Sequence, residues 1–404
     1  MSAAAPADGA VLDVAAAKQR VCEEIDRLAP ELLDVSHRIH ARPELAFEEH
    51  HAHDLLTGVL ADHGLAVRRR AYDVDTAFEA RAGDGDGPLV AVVCEYDALP
   101  DIGHACGHNI IAASGLGAGL ALASLAGEAG ARVAVMGTPA EEGGGGKELM
   151  LRRGAFSDAD AAMMVHPANH ELSVFSAVAV HRLTASYTGA AAHAAAAPEK
   201  GRNALDAAVL GYNAVAALRQ HIGSDERIHG VFTDGGAKPN IVPMTAASEW
   251  YVRSTNLASL ESLKRRVAAC LQAGADAAAC EVELQWGDPA YADMKDNTPL
   301  LDRYLANLSA VGREADAEPS GRVVGSTDMG NVSYAVPSIH PLIKVAPDDV
   351  AIHTPDFAHY AAGPEGDAAV IDGAKALAMT AVDCWLDETL LAAMRAEFES
   401  ATAA

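Results

Sequence analysis

The stretch Leu89-Val90-Ala91-Val92-Val93-Cys94-Glu95 constrains the fold most, because its apolar residues run without a polar alternation. A strand with one face in water alternates; an unbroken run reads as a strand covered on both faces. Two more such runs follow, Arg132-Val133-Ala134-Val135-Met136-Gly137 and Ala161-Ala162-Met163-Met164-Val165. Between the first two lies a Gly/Ala-rich apolar stretch, Ile110 to Ala126. It is shorter than the roughly 20 residues that cross a bilayer, and a buried helix is the better reading. Upstream, Val21, Ile25, Leu28, Leu32, Val35 and Ile39 recur at helical spacing, with Pro30 expected to kink or divide the helix and Pro43 to stop it. A second helix is expected over Phe47 to His63. Strands alternating with helices predict an α/β layer with a mixed, mainly parallel sheet flanked by helices.

The texture changes between 179 and 294. A strand at Arg182–Thr188, a helix over Asn203–His221, strands near 228–233 and 246–253, a helix carrying Leu260, Leu263, Val267 and Leu271, and a strand at Glu281–Trp286 give the order βαββαβ, a ferredoxin-like split-βαβ unit. The α/β pattern then resumes with a helix near Pro299–Val311, a strand near Ile339–Val345 and a last helix from Asp367 to about Leu386. A chain of 404 residues exceeds what one core usually holds. The expected division is a discontinuous catalytic domain, 15–178 and 295–390, with an inserted domain, 179–294, and flexible tails at 1–14 and 391–404.

The formal net charge of −26 opposes binding to nucleic acid or to anionic membranes, and both are set aside as partners. The six cysteines are scattered without a CxxC pair, and the N-terminus lacks the basic start and apolar core of a signal peptide. A reduced, cytoplasmic setting is the expectation.

Open α/β sheets bind ligands beyond the carboxyl ends of their strands. The predicted strand ends release chemistry there. After the first comes His104-Ala105-Cys106-Gly107-His108-Asn109, where Cys106 and His108 stand two apart beside a glycine at a strand-to-helix turn. Thiolate and imidazole are ligands of zinc and its neighbours. The second strand ends at Glu141-Glu142 before Gly143–Gly146. Adjacent side chains diverge, so one carboxylate can hold a metal while the other faces its water. His166 follows the third strand, and His353 precedes Thr354-Pro355. Cys106, His108, Glu142, His166 and His353 together are enough for two divalent ions.

This set resembles the two-metal aminoacylase and glutamate-carboxypeptidase family, and most of all its amidohydrolase subfamily of hippurate, auxin-conjugate and aminobenzoyl-glutamate hydrolases. The matching pieces occur in family order from about 30 to 385. They are Glu95-Tyr96-Asp97-Ala98-Leu99-Pro100, the 104–109 hexapeptide, Glu141-Glu142, Gly189–Ala194, Asn240-Ile241-Val242-Pro243, Ser326–Asn331 and His353-Thr354-Pro355. The resemblance implies that Cys106 bridges two ions, that His108 and His166 complete one shell, and that Glu142 and His353 complete the other. It makes Glu141 the general base toward the metal-activated water and Asp97 the residue that orients a ligand. It makes the inserted domain a lid and dimerisation domain whose His193 supports the oxyanion in the partner subunit's site. Asn240 and Arg253 then hold the substrate's carboxylate, for which arginine offers a forked donor. The metal implied is zinc or manganese, with cobalt a third option. The substrate implied is a small N-acyl or N-aminoacyl amino acid, and the homodimer forms through the lid.

Two departures bear on the subfamily. Much of the wider family carries a ligand histidine where Glu95 stands, and many members have aspartate where Asn109 stands. Asn109 and Ser326–Asn331 tilt the reading toward aminobenzoyl-glutamate hydrolases and β-alanyl-lysine type dipeptidases. Gly143–Lys147 lacks the spacing of a phosphate loop, and Gly115-Leu116-Gly117-Ala118-Gly119 sits inside a predicted helix, against a dinucleotide site. Two rivals stand beside this reading. One is a cysteine hydrolase with Cys106 as nucleophile and His108 as base; the other is a dimeric binding protein without turnover.

Overall fold

A computed structural model describes residues 12–174, 176–316 and 324–402. They form two compact units, one from 12–174 with 295–316 and 332–402, the other from 176–294 with 324–331.

The first unit is built on a six-stranded sheet in the order Ala66–Arg69, Phe78–Ala82, Arg132–Gly137, Leu89–Cys94, Ala161–Met163, Ser338–Ile339. The last four are mutually parallel and the first two antiparallel. Leu89–Cys94 is buried along its whole length, as its unbroken apolar run requires. The chain leaves it through the helix His108–Ala129 to a neighbour on one side, and reaches Ala161–Met163 on the other. The sheet therefore reverses its direction of winding at this strand, where α/β folds place their ligand crevice.

The helix His108–Ala129 is apolar enough to cross a membrane by composition, yet it is buried in this unit. Its glycines set how closely it packs. A Cβ on Gly115 would lie 2.6 Å from the carbonyl oxygen of Val93, one on Gly119 2.2 Å from Val135 Cγ2, and one on Gly117 2.6 Å from Leu32 Cδ1. Strands thus touch it on one side and the helix Val14–Ala41 on the other. That helix continues through Pro30 and is not divided there. Its buried face of Val21, Ile25, Leu28, Leu32, Val35 and Ile39 holds it together where the proline removes a hydrogen bond.

Three expectations are corrected. The strand foreseen over 339–345 is two short strands, Ser338–Ile339 and Leu342–Lys344, in different sheets. Pro341, without an N–H, separates them. Residues 391–402 are no tail. They belong to the helix Glu388–Thr402, which buries Leu390, Leu391 and Met394, and whose Met394 carbonyl accepts from Asn297 Nδ2. The segment 324–331 groups with the inserted unit instead of the catalytic one: Val324–Gly325 pairs in parallel with Ser176–Ala177, and Asn331 bonds to Ala290 and Ala292. The tail expected at 1–14 falls outside the described residues up to Val11; Val14 already starts a helix capped by Asp13.

The second unit has an antiparallel sheet, Glu281–Trp286, Ala179–Thr188, Thr245–Ser254, Arg227–Asp234, in that order. Two helices, Ala204–Leu218 and Leu257–Ala277, pack on one face around Leu183, Trp250, Val252 and Leu271. The chain order is the expected βαββαβ. The strand Arg227–Asp234 is an edge and leaves Val231 and Phe232 exposed.

The packing of His108–Ala129 gives opposite signs for two glycines. Gly115→Ala meets backbone that cannot yield and should cost about 1–3 kcal/mol. Gly127→Ala, with nothing within 4 Å of its new Cβ, should gain about 0.4–1 kcal/mol. Urea unfolding midpoints of the two variants check this.

Candidate metal centre

Four parallel strands end on one rim, and each releases part of the site. Leu89–Cys94 leads to Glu95 and Asp97, and beyond them to Cys106 and His108. Gly107, between the last two, has φ +78°, and a Cβ there would lie 2.5 Å from Pro167, so only glycine fits both the turn and its neighbour. Arg132–Gly137 leads to Glu141 and Glu142, Ala161–Met163 to His166, and Ser338–Ile339 to His340. His353 arrives from a separate loop, where its N–H donates to the Ala105 carbonyl at 2.8 Å and its φ is +64°.

The five expected ligands come together. Cys106, His108 and His166 form one group whose donor atoms lie within 4.8 Å of one another; Cys106, Glu142 and His353 form a second, and His108, Glu141 and Glu142 a third. Cys106, His108 and Glu142 each belong to two of the three groups, so the groups are contiguous. Cys106 Sγ is 3.4 Å from His166 Nε2, and His353 Nε2 is 3.2 Å from Glu142 Oε1. The rings are oriented from behind. His108 Nδ1 faces Asp97 Oδ1 at 3.1 Å and His166 Nδ1 faces the Pro167 carbonyl at 2.8 Å, so each presents Nε2 to the cluster. His108 Nε2 is buried without a hydrogen-bond partner, which suits a lone pair directed at a cation. Sulfur, imidazole and carboxylate in this mixture fit divalent transition-metal ions.

Asp97 does more than hold one ring: its Oδ2 accepts the N–H of Glu142 at 2.9 Å. Glu141 is buried in the same turn. The cysteine-hydrolase alternative loses ground here, because His166, His353 and Glu142 surround Cys106 and would have no task in it.

The other expected residues lie in the second unit. His193 is exposed in the loop after Ala179–Thr188, bridged to Ile241, with the Ala194 N–H on the Asn240 carbonyl at 3.1 Å. This loop pairing places His193 and Asn240 side by side. Arg253, on Thr245–Ser254, is half-buried and donates to Ser326 Oγ at 3.2 Å, while its Nε is buried without a partner.

Residues 91–381 match Peptidase family M20/M25/M40. The chain belongs to this family. It is 38% identical to the mouse Xaa-Arg dipeptidase across 98% of this chain and 95% of that protein. It is 32% identical to a component of the Escherichia coli p-aminobenzoyl-glutamate hydrolase, across 69% of this chain and 62% of that one. Its fold is that of a dinuclear metal binding M20 peptidase from Bacillus subtilis, with a TM-score of 0.68 at 18% identity over 88% of this chain and 99% of that one. This M20 protein is accordingly a hydrolase of peptide or amide bonds.

The titratable groups of the centre sit in unlike surroundings. Burial, with His340 and His108 close by, pushes His166 down to about 3, so its ring is neutral at physiological pH. Burial works against a charge on His108, but Cys106 and Asp97 outweigh it and hold its pKa well above the usual value. Asp97 is pulled below the ordinary carboxylate range although burial opposes this, because His108 and the N–H groups of Glu142 and Glu141 face it.

Three residues of the site escape a reading of the sequence alone. His340 stacks on His166 with centroids 5.2 Å apart. A signal for it exists in the chain: Ile339-His340-Pro341 repeats Val165-His166-Pro167. Lys147, at the end of the glycine run that lacks phosphate-loop spacing, is fully buried at 2.6 Å from Glu95. Glu49 is buried beneath the catalytic turn. Its Oε1 accepts the N–H groups of Phe47 and Ala140, both 2.9 Å away and both residues at positive φ, and Oε2 accepts from Thr76. No local pattern marks such a brace, because its partners are backbone atoms far away in the chain.

Burial, against the hydrogen bond from Thr76, pushes Glu49 up to about 7 from an ordinary 4.5. The folded state therefore holds this proton more tightly than the unfolded one. Its contribution to stability is complete below pH 4.5 and is lost as pH rises through 7. Glu49→Gln, which keeps an acceptor for both N–H groups, removes that dependence. Relative to the parent, it should gain on the order of 1 kcal/mol per pH unit across this window, measured by urea unfolding at pH 5.5 and pH 7.5.

Proposed function

We propose that this M20 protein is a homodimeric, two-ion dipeptidase acting on dipeptides whose C-terminal residue is cationic, such as arginine or lysine. The observation that carries this reading is the 38% identity, over nearly the full length of both chains, with a dipeptidase named for C-terminal arginine. Charge supports it: a chain of −26 raises the local concentration of a cationic dipeptide and repels an anionic conjugate such as aminobenzoyl-glutamate. Arg253 is the clamp for the free carboxylate, with Asn240 beside the same ligand. The thiols, none of them in a disulfide, fit a cytoplasmic setting.

Cys106, His108, Glu142, His166 and His353 would hold the ions, with Cys106 shared. Divalent ions held there supply Lewis acidity to the scissile carbonyl and lower the pKa of the attacking water. Glu141 accepts the proton of that water and delivers it to the leaving amine nitrogen, so that one carboxylate serves both halves of the reaction. Asp97 keeps His108 in the tautomer that presents Nε2 and holds the Glu142 backbone in place. His193, supplied by the lid of the second copy, donates to the oxyanion as the carbonyl becomes tetrahedral. The exposed edge strand Arg227–Asp234, with Val231 and Phe232, offers the pairing surface between lids.

Two experiments test this reading. kcat/KM on Xaa-Arg and Xaa-Lys dipeptides should exceed that on aminobenzoyl-glutamate and N-acetyl amino acids by at least tenfold; a preference for the acidic conjugate would overturn the substrate assignment. Glu141→Ala should lower kcat about 10²–10⁴-fold with ion content retained, and His193→Ala about 10²–10³-fold. Mixing the two inactive variants should restore activity through hybrid dimers that hold one intact site. Mixtures that stay inactive while sedimentation shows exchange would remove His193 from the partner's site.

A further inference from the structure

Glu95 and Lys147 form an ion pair with neither side chain exposed, Nζ to Oε1 2.6 Å. Buried pairs recover their desolvation only with difficulty, so this one is poorly explained as a device for stability. Its position is informative. The second oxygen of Glu95 lies 3.6 Å from His108 Nε2, the nitrogen that faces the metal cluster. An unneutralised carboxylate there is a further anionic donor within reach of an ion on His108. Lys147 comes from the far side of the glycine turn that follows Glu141-Glu142. A Cβ on Gly146 would lie 1.9 Å from the Pro139 carbonyl, so the turn closes on itself and delivers Lys147 into the core. It heads the short helix Gly146–Leu151, where a cation is unfavourable unless an anion offsets it.

Charge counting agrees. Asp97, Glu95, Glu141 and Glu142, with the Cys106 thiolate that metal ligation requires, are five negative groups around one centre. Two divalent ions supply four positive charges, and one ammonium supplies the fifth.

We propose that Lys147 is a resident cation of the metal centre, which neutralises Glu95, keeps that carboxylate out of the ions' coordination and thereby sets their affinity. The inference rests on the two-ion reading above. It predicts opposite signs for the two halves of the pair. Lys147→Met frees Glu95 as an additional donor and tightens ion binding. Glu95→Gln removes the carboxylate from the pair, makes the surroundings of the ions more positive by one charge, and weakens it. A residue pair that merely supports the fold would weaken binding in both variants.

The test uses the full-length protein stripped by chelation and titrated with Mn²⁺ against a fluorescent indicator, with Co²⁺ visible spectra in parallel. The parent should bind two ions. Lys147→Met should bind them about tenfold more tightly, with a weaker Co²⁺ spectrum as coordination number rises. Glu95→Gln should bind about tenfold more weakly, both within the 10–100-fold range typical of residues behind metal ligands. The double variant Glu95→Gln/Lys147→Met, which removes both charges of the pair, should return to within about threefold of the parent. Should Lys147→Met fail to fold, the weakening in Glu95→Gln and its reversal in the double variant decide the matter. Unchanged affinity in Glu95→Gln, shifts of the same sign in both single variants, or a double variant no better than Glu95→Gln would overturn the proposal. A parent that binds no Mn²⁺, Co²⁺ or Zn²⁺ would instead overturn the two-ion reading beneath it.

Discussion

The centre depends on one buried carboxylate with two obligations. Asp97 holds the His108 ring with one oxygen and the Glu142 backbone with the other. It thereby ties the turn after Leu89–Cys94 to the turn after Arg132–Gly137, two adjacent parallel strands whose ends would otherwise be free to part. The same contact selects the tautomer of His108 and aims Nε2 inward. A carboxylate can do this because both partners donate, and because burial makes any unsatisfied oxygen expensive.

Around that contact the molecule arranges charge in an order that polarity alone would not suggest. Acidic groups converge where a buried cluster would repel itself, and the cationic groups in reach, Lys147 and the divalent ions for which the donor set is suited, balance them. Glu49, next to this cluster, is held by backbone N–H groups and the Thr76 hydroxyl and is pushed toward its neutral form. The site is thus built from carboxylates in different electrostatic circumstances. Asp97 is held ionised by imidazole and N–H groups, Glu95 is neutralised by ammonium, and Glu49 is drawn toward protonation by burial. Identical chemistry acquires different tasks from its surroundings.

Much of this is legible in the chain. Unbroken apolar runs identify strands covered on both faces, and residues that follow such strands in an α/β sheet reach a common rim. That logic selects Cys106, His108, Glu142 and His166 without any contact being known. The helix through Pro30 and the helix Glu388–Thr402 depart from expectation for a shared reason: local rules rate a proline or a chain end in isolation, whereas burial of Ile25, Leu32 and Met394 is decided by what lies opposite. The segment 324–331 belongs to a different unit than expected because a two-residue strand leaves no periodicity to read.

What the sequence determined by itself was the inventory and its approximate place: which side chains can hold a cation, and on which strand ends they emerge, because apolar periodicity is a local property of the chain. Only the tertiary structure decided which oxygen faces which nitrogen. The approach of Lys147 to Glu95, of His340 to His166 and of Glu49 to the N–H of Ala140 follows from the packing of distant segments, and no residue spacing encodes the relative position of segments that meet only when the core closes.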